Sequence, residues 1–499
     1  MRHRRWPGRT PRSGRRSRRS RRGSKPSHAK RGKWFAEAGG VGDTCRVKLD
    51  DYLDSFQQVL DHPRHRAAQE TLVELITQLR ACTNVNEGYE FQQALVSQTL
   101  AVERDHHGFR GAIKRMADGK SPQAGAPEPQ SGLDPALQST WQLELDICER
   151  VARQFRCVGD ALAWRVFGFE RQYITTLARN QSPGMMAGKL GLPAELALVK
   201  KVWKEDGQFA LVHDLTNCLR IGDISVFTDE GPEQIEVKTN AKRRNSAQNR
   251  KLRAARKALG RAGPLPGDDR GEWLYDLDLP YRTHLDLLRT GTERAARDGI
   301  FAVRVRGDRA LLVSDLYGCQ AQGWTEDQFN DQLARKFSGA LRRAGLGRRQ
   351  ASNVHATSLD SVSRDPLRVP FAAYPLHPVA CARLIGDIAM FIVETSGPAL
   401  AASVSDAGIP AKWIWAGTGE IPPGEVVMEM STKRSWPVPG MLFMEHSKTL
   451  QMRRRELDRY LIELVEQKTW IEGVRFTLAD PDIPQRPWPC YRDEHSVWM

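Results

Sequence analysis

No Cys-x-x-Cys pair occurs in the chain, although its 499 residues include eight cysteines. These are Cys45, Cys82, Cys148, Cys157, Cys218, Cys319, Cys381 and Cys490, and no Cys/His cluster has zinc-ligand spacing. The pattern excludes a sequence-legible zinc module and predicts buried free thiols in a reducing cytosol. A long uninterrupted apolar run is also lacking. The most apolar stretch, Leu384 to Val404, contains Asp387, Glu394 and Pro398, which predicts a core helix and excludes a membrane span. No apolar h-region follows the N-terminal arginines, so a secretory leader is excluded. Gly184 to Gly191 lacks the GKS or GKT of a phosphate-binding loop. Internal repeats are absent. These absences predict a cytoplasmic enzyme or binding protein.

Acidic residues are missing from two segments. Residues 1–33 contain twelve Arg, three Lys and no acid, which accounts for the whole formal charge of +15. The other 466 residues carry 60 basic and 60 acidic groups. The first segment is Arg/Ser/Gly/Pro-rich and too polar to bury a core, which predicts a disordered arm over 1–40. It reads as a basic arm that grips nucleic acid. The same composition fits a misplaced start in GC-rich DNA, with translation beginning near Gly40 or Val41.

The second acid-free segment runs from Val237 to Gly267. It holds Lys238, Lys242, Arg243, Arg244, Arg250, Lys251, Arg253, Arg256, Lys257 and Arg261. With no acid inside the run, i,i+4 pairing cannot relieve the repulsion. An external polyanion can, and a clustered cationic helix is the electrostatic footprint of phosphate-backbone binding. Lys242, Arg243, Arg244, Arg250, Lys251, Arg253 and Lys257 are the candidate nucleic-acid contacts.

Just before this run, Leu219 to Asn240 reads LRIGDISVFTDEGPEQIEVKTN. Asp223 opens a short apolar run of Ile224, Val226 and Phe227. The DEGP segment, Asp229 to Pro232, predicts a turn. Gln234 to Thr239 then alternates, with Ile235 and Val237 on one side and Glu236 and Lys238 on the other. Two β-rich runs split by a turn read as a hairpin, and period-two alternation places Glu236 and Lys238 on one face. Such a hairpin brings Asp223 close to Glu236. Two carboxylates suffice for Mg2+, which takes oxygen ligands and keeps several waters. A lysine beside them can orient an attacking water or neutralise developing charge.

This pattern resembles the PD-(D/E)XK, or restriction-endonuclease-like, nuclease superfamily. The resemblance rests on Gly222-Asp223 and on Glu236-Val237-Lys238, with twelve residues between Asp223 and Glu236. Gly222 stands where the family has Pro. The resemblance covers residues 150–315 and implies a helix, three strands, a helix and a strand. The chain offers Ala152 to Phe167, Phe209 to Asp214, the hairpin, Asn245 to Leu259, and Ile300 to Val305. It further implies Asp223 and Glu236 as ligands of Mg2+ (or Mn2+), Lys238 as the catalytic lysine and Gln248 as an added polar group. The implied reaction is metal-dependent hydrolysis of nucleic acid, DNA by family habit. The rival readings are a catalytically silent nuclease-like DNA-binding protein and an interaction scaffold.

The expected fold is mixed α/β: an αβββαβ core with an N-terminal helical region and a C-terminal α+β region. Residues 41–117 read as a helical domain, from the i,i+3/i+4 spacing of Leu72, Leu75, Ile76 and Leu79 and of Phe91, Leu95 and Leu100. Residues 118–135 are Pro/Gly/Ser-rich and read as a linker. The nuclease-like core spans 136–349, opening with a helix from Leu137 to Phe155 and including one from Trp324 to Ala344. A C-terminal α+β domain of unassigned role spans 350–499. It has expected helices at Pro378–Thr395 and Glu445–Gln467 and strands near Lys412–Trp415 and Val426–Ser431. His213-Asp214 precedes the hairpin, and either residue can face the same site. Asn217 and Arg220 are candidate phosphate contacts, and His106-His107 reads as a solvated helix end.

Overall fold

The computed structural model describes residues 58–121, 126–134, 137–178, 184–237, 246–259, 265–266, 276–280, 282–306, 308–346, 353–359, 367–416, 421–422, 424–438, 441–479 and 490–492. For 246–247, 276–280, 432–438, 441–448, 479 and 490–492 only the backbone is described. The arm at 1–40, Lys238, Lys242, Arg243 and Arg244 lie outside the described residues.

Three long helices build the first layer: α1 (Pro63–Ala81), α2 (Val85–Ala117) and α3 (Gln138–Val166). Proline in the first turn of α1 costs no hydrogen bond, because that N–H has no intrahelical partner. Asn84 caps α2 by accepting the Glu87 N–H at 3.0 Å. The buried residues of α2 include Gly88, Gln92, Leu95, Thr99, Glu103 and His106, a stripe at three- and four-residue steps. His106 therefore belongs to the packed face, and the reading of a solvated helix end is corrected for it. The two expected helices at Leu137–Phe155 and Ala152–Phe167 are one 29-residue helix, α3, buried on nearly all sides from Ile147 onward. Between α2 and α3, the N–H groups of Gln130 and Ser131 donate to the buried carboxylate of Glu144.

After α4 (Arg171–Leu177) and α5 (Leu192–Lys201) comes an antiparallel sheet of β1 (Phe209–Val212), β2 (Ile224–Thr228) and β3 (Gly231–Ile235), in that order. Burial of all four β1 residues leaves its outer edge without water. Gln92 of α2 takes the place of a further strand there, donating to Ala210 O at 2.9 Å and accepting from Val212 N at 3.0 Å. β3 ends earlier than alternation over Gln234–Thr239 predicts. α6 (Ser246–Leu259) follows, with Ala255 and Ala258 buried.

β4 (Asp276–Pro280) pairs in parallel with β12 (Cys490–Arg492). Next come α7 (Leu285–Asp298), β5 (Ile300–Val305), β6 (Arg309–Asp315), α8 (Leu316–Ala321), α9 (Glu326–Arg343) and β7 (Asn353–Thr357). Then follow α10 (Pro378–Ile385), β8 (Ala389–Ser396), α11 (Gly397–Asp406), β9 (Ala411–Trp413), β10 (Val426–Val438), β11 (Met441–Arg453), α12 (Arg454–Ile462) and α13 (Gln467–Ala479). A second antiparallel sheet has the order β5-β6-β8-β7, and a third the order β11-β10-β9. The fold is thus a mixture of helices with small, mainly antiparallel sheets. One apolar cluster of buried residues reaches from Ala68 to Leu478.

Three expectations are corrected. Ile300–Val305 is a strand, but it pairs with β6 in the second sheet, so it does not extend β1-β2-β3. The expected helix Pro378–Thr395, and with it the core helix over Leu384–Val404, is α10, then strand β8, then α11 opening at Gly397-Pro398. β8 lies between β6 and β7 and seven of its eight residues are buried, so it shows no alternation and reads like a buried helix. The expected helix Glu445–Gln467 is the second half of β11 followed by α12.

Candidate functional site

The site lies where the first sheet meets the 184–195 segment and α3. Gly159 sets the closeness of that approach. A Cβ on Gly159 would stand 1.9 Å from Leu215 O, so only glycine lets the turn at His213–Leu215 lie against α3. One residue on, the buried Asp160 carboxylate accepts the N–H groups of Asn217 at 2.6 Å and Cys218 at 3.0 Å, and the Asn217 amide at 2.9 Å. Burial raises the Asp160 pKa even so. The loop into β2 is therefore anchored from below, and Asn217 is one of its anchors. Arg220 folds back onto the carbonyls of Leu219 and Thr216. Both residues serve the turn itself, which corrects their reading as phosphate contacts.

His213 is buried, and both its ring nitrogens reach the start of β2. Its Nδ1 lies 3.1 Å from Gly222 O and its Nε2 2.7 Å from Ser225 Oγ. Burial lowers its pKa to about 4, so the ring is neutral at pH 7. A neutral ring donates from Nδ1 to the carbonyl and accepts the Ser225 hydroxyl at Nε2. Gly222 has φ +81°, a left-handed conformation that favours glycine. That is the physical reason a proline, fixed near −65°, does not stand before Asp223.

Asp223 leaves this turn as β2 begins. The β2–β3 register pairs Ile224 with Ile235, and the Asp223 N–H donates to Ile235 O at 2.9 Å. That bond is one residue out of the β2–β3 register, so regular pairing stops at Ile224 and Ile235, with Asp223 just before β2 and Glu236 just after β3. The two residues therefore lie at the same end of the β2–β3 pair. Asp223 Oδ2 accepts the Val237 N–H at 2.8 Å.

Asp223 Oδ1 faces Lys189 Nζ at 3.5 Å. The same ammonium lies 2.6 Å from Asp214 Oδ2 and 2.8 Å from Glu195 Oε1. Three carboxylates from three separate segments converge on one lysine. Burial of the ammonium works against its charge, but the hydrogen bonds to Asp214 and Glu195 outweigh it and raise the Lys189 pKa. Burial pushes the Glu195 carboxyl up. The segment bearing Lys189 is fixed by a buried ion pair between Arg156 and Glu103: Arg156 donates to Gly184 O at 2.8 Å, and Glu103 accepts the Ala187 N–H at 2.8 Å. Sequence reading placed Asp214 near the site but missed Lys189 and Glu195. The only local trace is a lysine between two glycine-rich turns, and no short-range pattern ties it to Asp223.

On α6, Gln248, Leu252, Ala255 and Leu259 share one face by helical spacing. That face meets the hairpin. Leu252 lies 3.6 Å from the position a Cβ would take on Gly222, and Arg256 donates to Gln234 O at 2.6 Å. Gln248 sits one turn before Leu252 on the same row. Arg250, Arg253 and Lys257 lie on the opposite face, exposed like Lys251, and none of these four is in an ion pair among the described residues. Arg256 alone reaches an acid, 3.6 Å from Glu233.

Among the described residues, no group of three or more His, Cys, Asp or Glu side chains could hold a metal ion, and no helix is long and apolar enough to cross a membrane. The six described cysteines, Cys82, Cys148, Cys157, Cys218, Cys319 and Cys381, are free and buried. No family model, no curated protein and no solved structure matches the chain.

Proposed function

We propose that this protein is a metal-dependent nuclease that hydrolyses phosphodiester bonds of nucleic acid, DNA in the first instance, on a restriction-endonuclease-like core. The observation that supports the reading is the hairpin, with Asp223 just before β2 and Glu236 just after β3 at one end of the pair, followed by a helix with an exposed basic face. The core in this reading comprises α3, β1, β2, β3 and α6, the order helix, three strands, helix. The strand that would follow is not supplied by β5.

The donor set fits a hard divalent cation, because both groups offer carboxylate oxygens. Asp223 and Glu236 would hold Mg2+ or Mn2+, which supplies a polarised phosphoryl oxygen and a bound water of lowered pKa. The chain's own contributions are positional and electrostatic. Lys238, one residue beyond Val237, would orient the attacking water, and Gln248 would bind it or the phosphate from α6. Arg250, Lys251, Arg253 and Lys257 would track the backbone, with Lys242, Arg243 and Arg244 extending the same cationic segment. Cleavage of plasmid DNA in Mg2+ or Mn2+, but not in EDTA, tests the reading. Asp223→Ala and Glu236→Ala should abolish it, and Lys238→Ala should do so with cation binding retained. Full activity in Asp223→Ala protein would place the reaction elsewhere.

One observation favours a second reading. Both Asp223 oxygens already have protein partners, Val237 N–H and Lys189. A nuclease-like domain that binds DNA through α6 without cutting it would show the same engagement. Salt-dependent binding in EDTA, with no cleavage in any divalent metal, would support it.

A further inference from the structure

Arg309, on β6, is a charged side chain buried without a carboxylate. The residue is 0 % exposed and is in no ion pair among the described residues. Its donors go to carbonyl oxygens, Nη1 to Val465 O at 2.8 Å and both Nε and Nη2 to Arg306 O at 3.4 Å. The guanidinium also lies 4.9 Å from the centroid of the Tyr460 ring. Carbonyls satisfy the N–H groups but leave the charge uncancelled, whereas buried charges are ordinarily paired. The carbonyls it holds belong to Arg306, which lines a cleft of about 410 Å³, and to Val465, beside the lining residue Glu466. Backbone pairing fixes the segments of this wall to each other: His284 N–H donates to Leu464 O and Glu466 N–H to Arg282 O, each at 2.8 Å. His284 also lines the cleft, and its Nε2 is buried with no hydrogen-bond partner. Burial first, and then the Arg309 charge, lowers the His284 pKa, so the ring is neutral at pH 7. The opposite wall is one face of α13, with Lys468, Ile471, Glu472 and Arg475. Arg306, Lys468 and Arg475 are exposed and in no ion pair among the described residues. With Arg309 behind the wall, four cations act on a cleft lined by two carboxylates, Glu466 and Glu472.

We propose that this cleft binds a small organic phosphate monoester. The positive excess suits such a group, which carries a charge of about −1.5 to −2 at pH 7. Guanidinium and ammonium groups are the side chains that recognise phosphate oxygens, the first in a planar fork and the second as a point charge. Arg306 and Lys468 hold the phosphate from opposite walls. The neutral His284 ring donates a further hydrogen bond from Nε2, and Arg309 raises the potential from behind. The volume falls within the range of small-ligand clefts, about 300–1,000 Å³, and leaves room beyond the phosphate for an organic group. Arg475 keeps Nη2 on Ala407 O at 2.6 Å, and Ala407 and Ile471 give that group its apolar surface. The cleft shares no residue with the nuclease reading and does not rest on it.

Isothermal calorimetry on the full chain in EDTA tests the proposal, with deoxyadenosine monophosphate, inorganic phosphate and deoxyadenosine as probes. The monophosphate should bind, inorganic phosphate should bind more weakly, and deoxyadenosine should not bind. Arg306→Gln combined with Lys468→Gln should weaken the monophosphate at least about tenfold, since each change removes a charge-assisted hydrogen bond. Both side chains are exposed, so the fold should persist. Glu472→Gln should tighten binding, because it removes a charge that opposes the phosphate. That gain is a readout that unfolding cannot imitate. Arg250→Gln, Arg253→Gln and Lys257→Gln together should leave the affinity unchanged, which separates this cleft from the α6 face of the nuclease reading, whose failure would leave it standing. No binding of the monophosphate, equal affinity for deoxyadenosine or for inorganic phosphate, or unchanged affinity in the Arg306/Lys468 variant overturns the proposal. So does a Glu472→Gln chain that binds no tighter, or loss of binding through the α6 changes.

Discussion

Asp223 Oδ2 accepts the backbone N–H of Val237 at 2.8 Å, so the residue that faces Lys189 also ties the end of β3 to the start of β2. Two roles meet in one side chain, and two substitutions separate them. Asparagine keeps an oxygen for the Val237 N–H but loses the charge. Asp223→Asn should therefore lose metal-dependent cleavage with stability within about 0.5 kcal/mol of wild type. Asp223→Ala should lose cleavage and cost about 1–2 kcal/mol as well, because the N–H is left without its acceptor. Urea unfolding beside a cleavage assay checks both, and equal stability changes in the two variants would deny the structural role.

The outward face of α6 makes a separate prediction. Arg250→Gln, Arg253→Gln and Lys257→Gln together should weaken DNA binding across all sequences alike, because phosphate contacts carry little base information. The log–log salt slope should flatten by up to about 0.9 for each phosphate of duplex DNA that is no longer neutralised. The fold should persist, since these side chains are exposed and not in ion pairs among the described residues. If affinity and slope both stay unchanged, while a chain beginning at Val41 no longer binds, the arm grips the DNA and α6 does not.

His213 makes stability depend on pH. Burial holds its folded pKa at about 4, below the ordinary 6.5. Between those values the unfolded chain takes up a proton that the folded chain refuses, so stability falls as pH drops through this window. From pH 7 to pH 5 the fall due to this residue is about 2 kcal/mol. Urea midpoints of the wild type and of His213→Gln should converge as the pH falls, since glutamine does not titrate. Parallel pH profiles would show that the ring is not the cause.

Gly159 links the core to the site without touching it. Gly159→Ala places a methyl 1.9 Å from Leu215 O, which is backbone and cannot turn aside. The turn that carries His213 and Asp214 must shift, at a cost of about 1–3 kcal/mol. Asp214 would leave Lys189, so the melting temperature should fall. An unaltered melting temperature would mean that α3 and the turn are less closely packed than this geometry requires.

Local pattern determined much of the secondary structure. Apolar spacing of three and four residues marked α1 and α2, and the Ser246–Leu259 helix is recognisable from its inner row of Gln248, Leu252, Ala255 and Leu259. The hairpin was legible as two β-rich runs about a turn, but its second strand was displaced: β3 is Gly231–Ile235, so it takes in Gly231 and Pro232 of the expected turn and ends before Glu236. β8 was hidden, because a central strand buried on both faces has no polar side to give it a period. The pairing of β5 with β6, in a sheet apart from β1-β2-β3, also left no local mark, since strand partners are chosen by long-range packing. The same holds for the lysine cage. Lys189 and Asp223 are 34 residues apart, and nothing in either segment names the other. Their meeting depends on Gly159 admitting the turn, on Asp160 holding the loop, and on the Arg156–Glu103 pair fixing the segment before Lys189. The sequence supplied the carboxylates of the hairpin; only the packing of α2 and α3 beneath it decided that Asp223 faces Lys189.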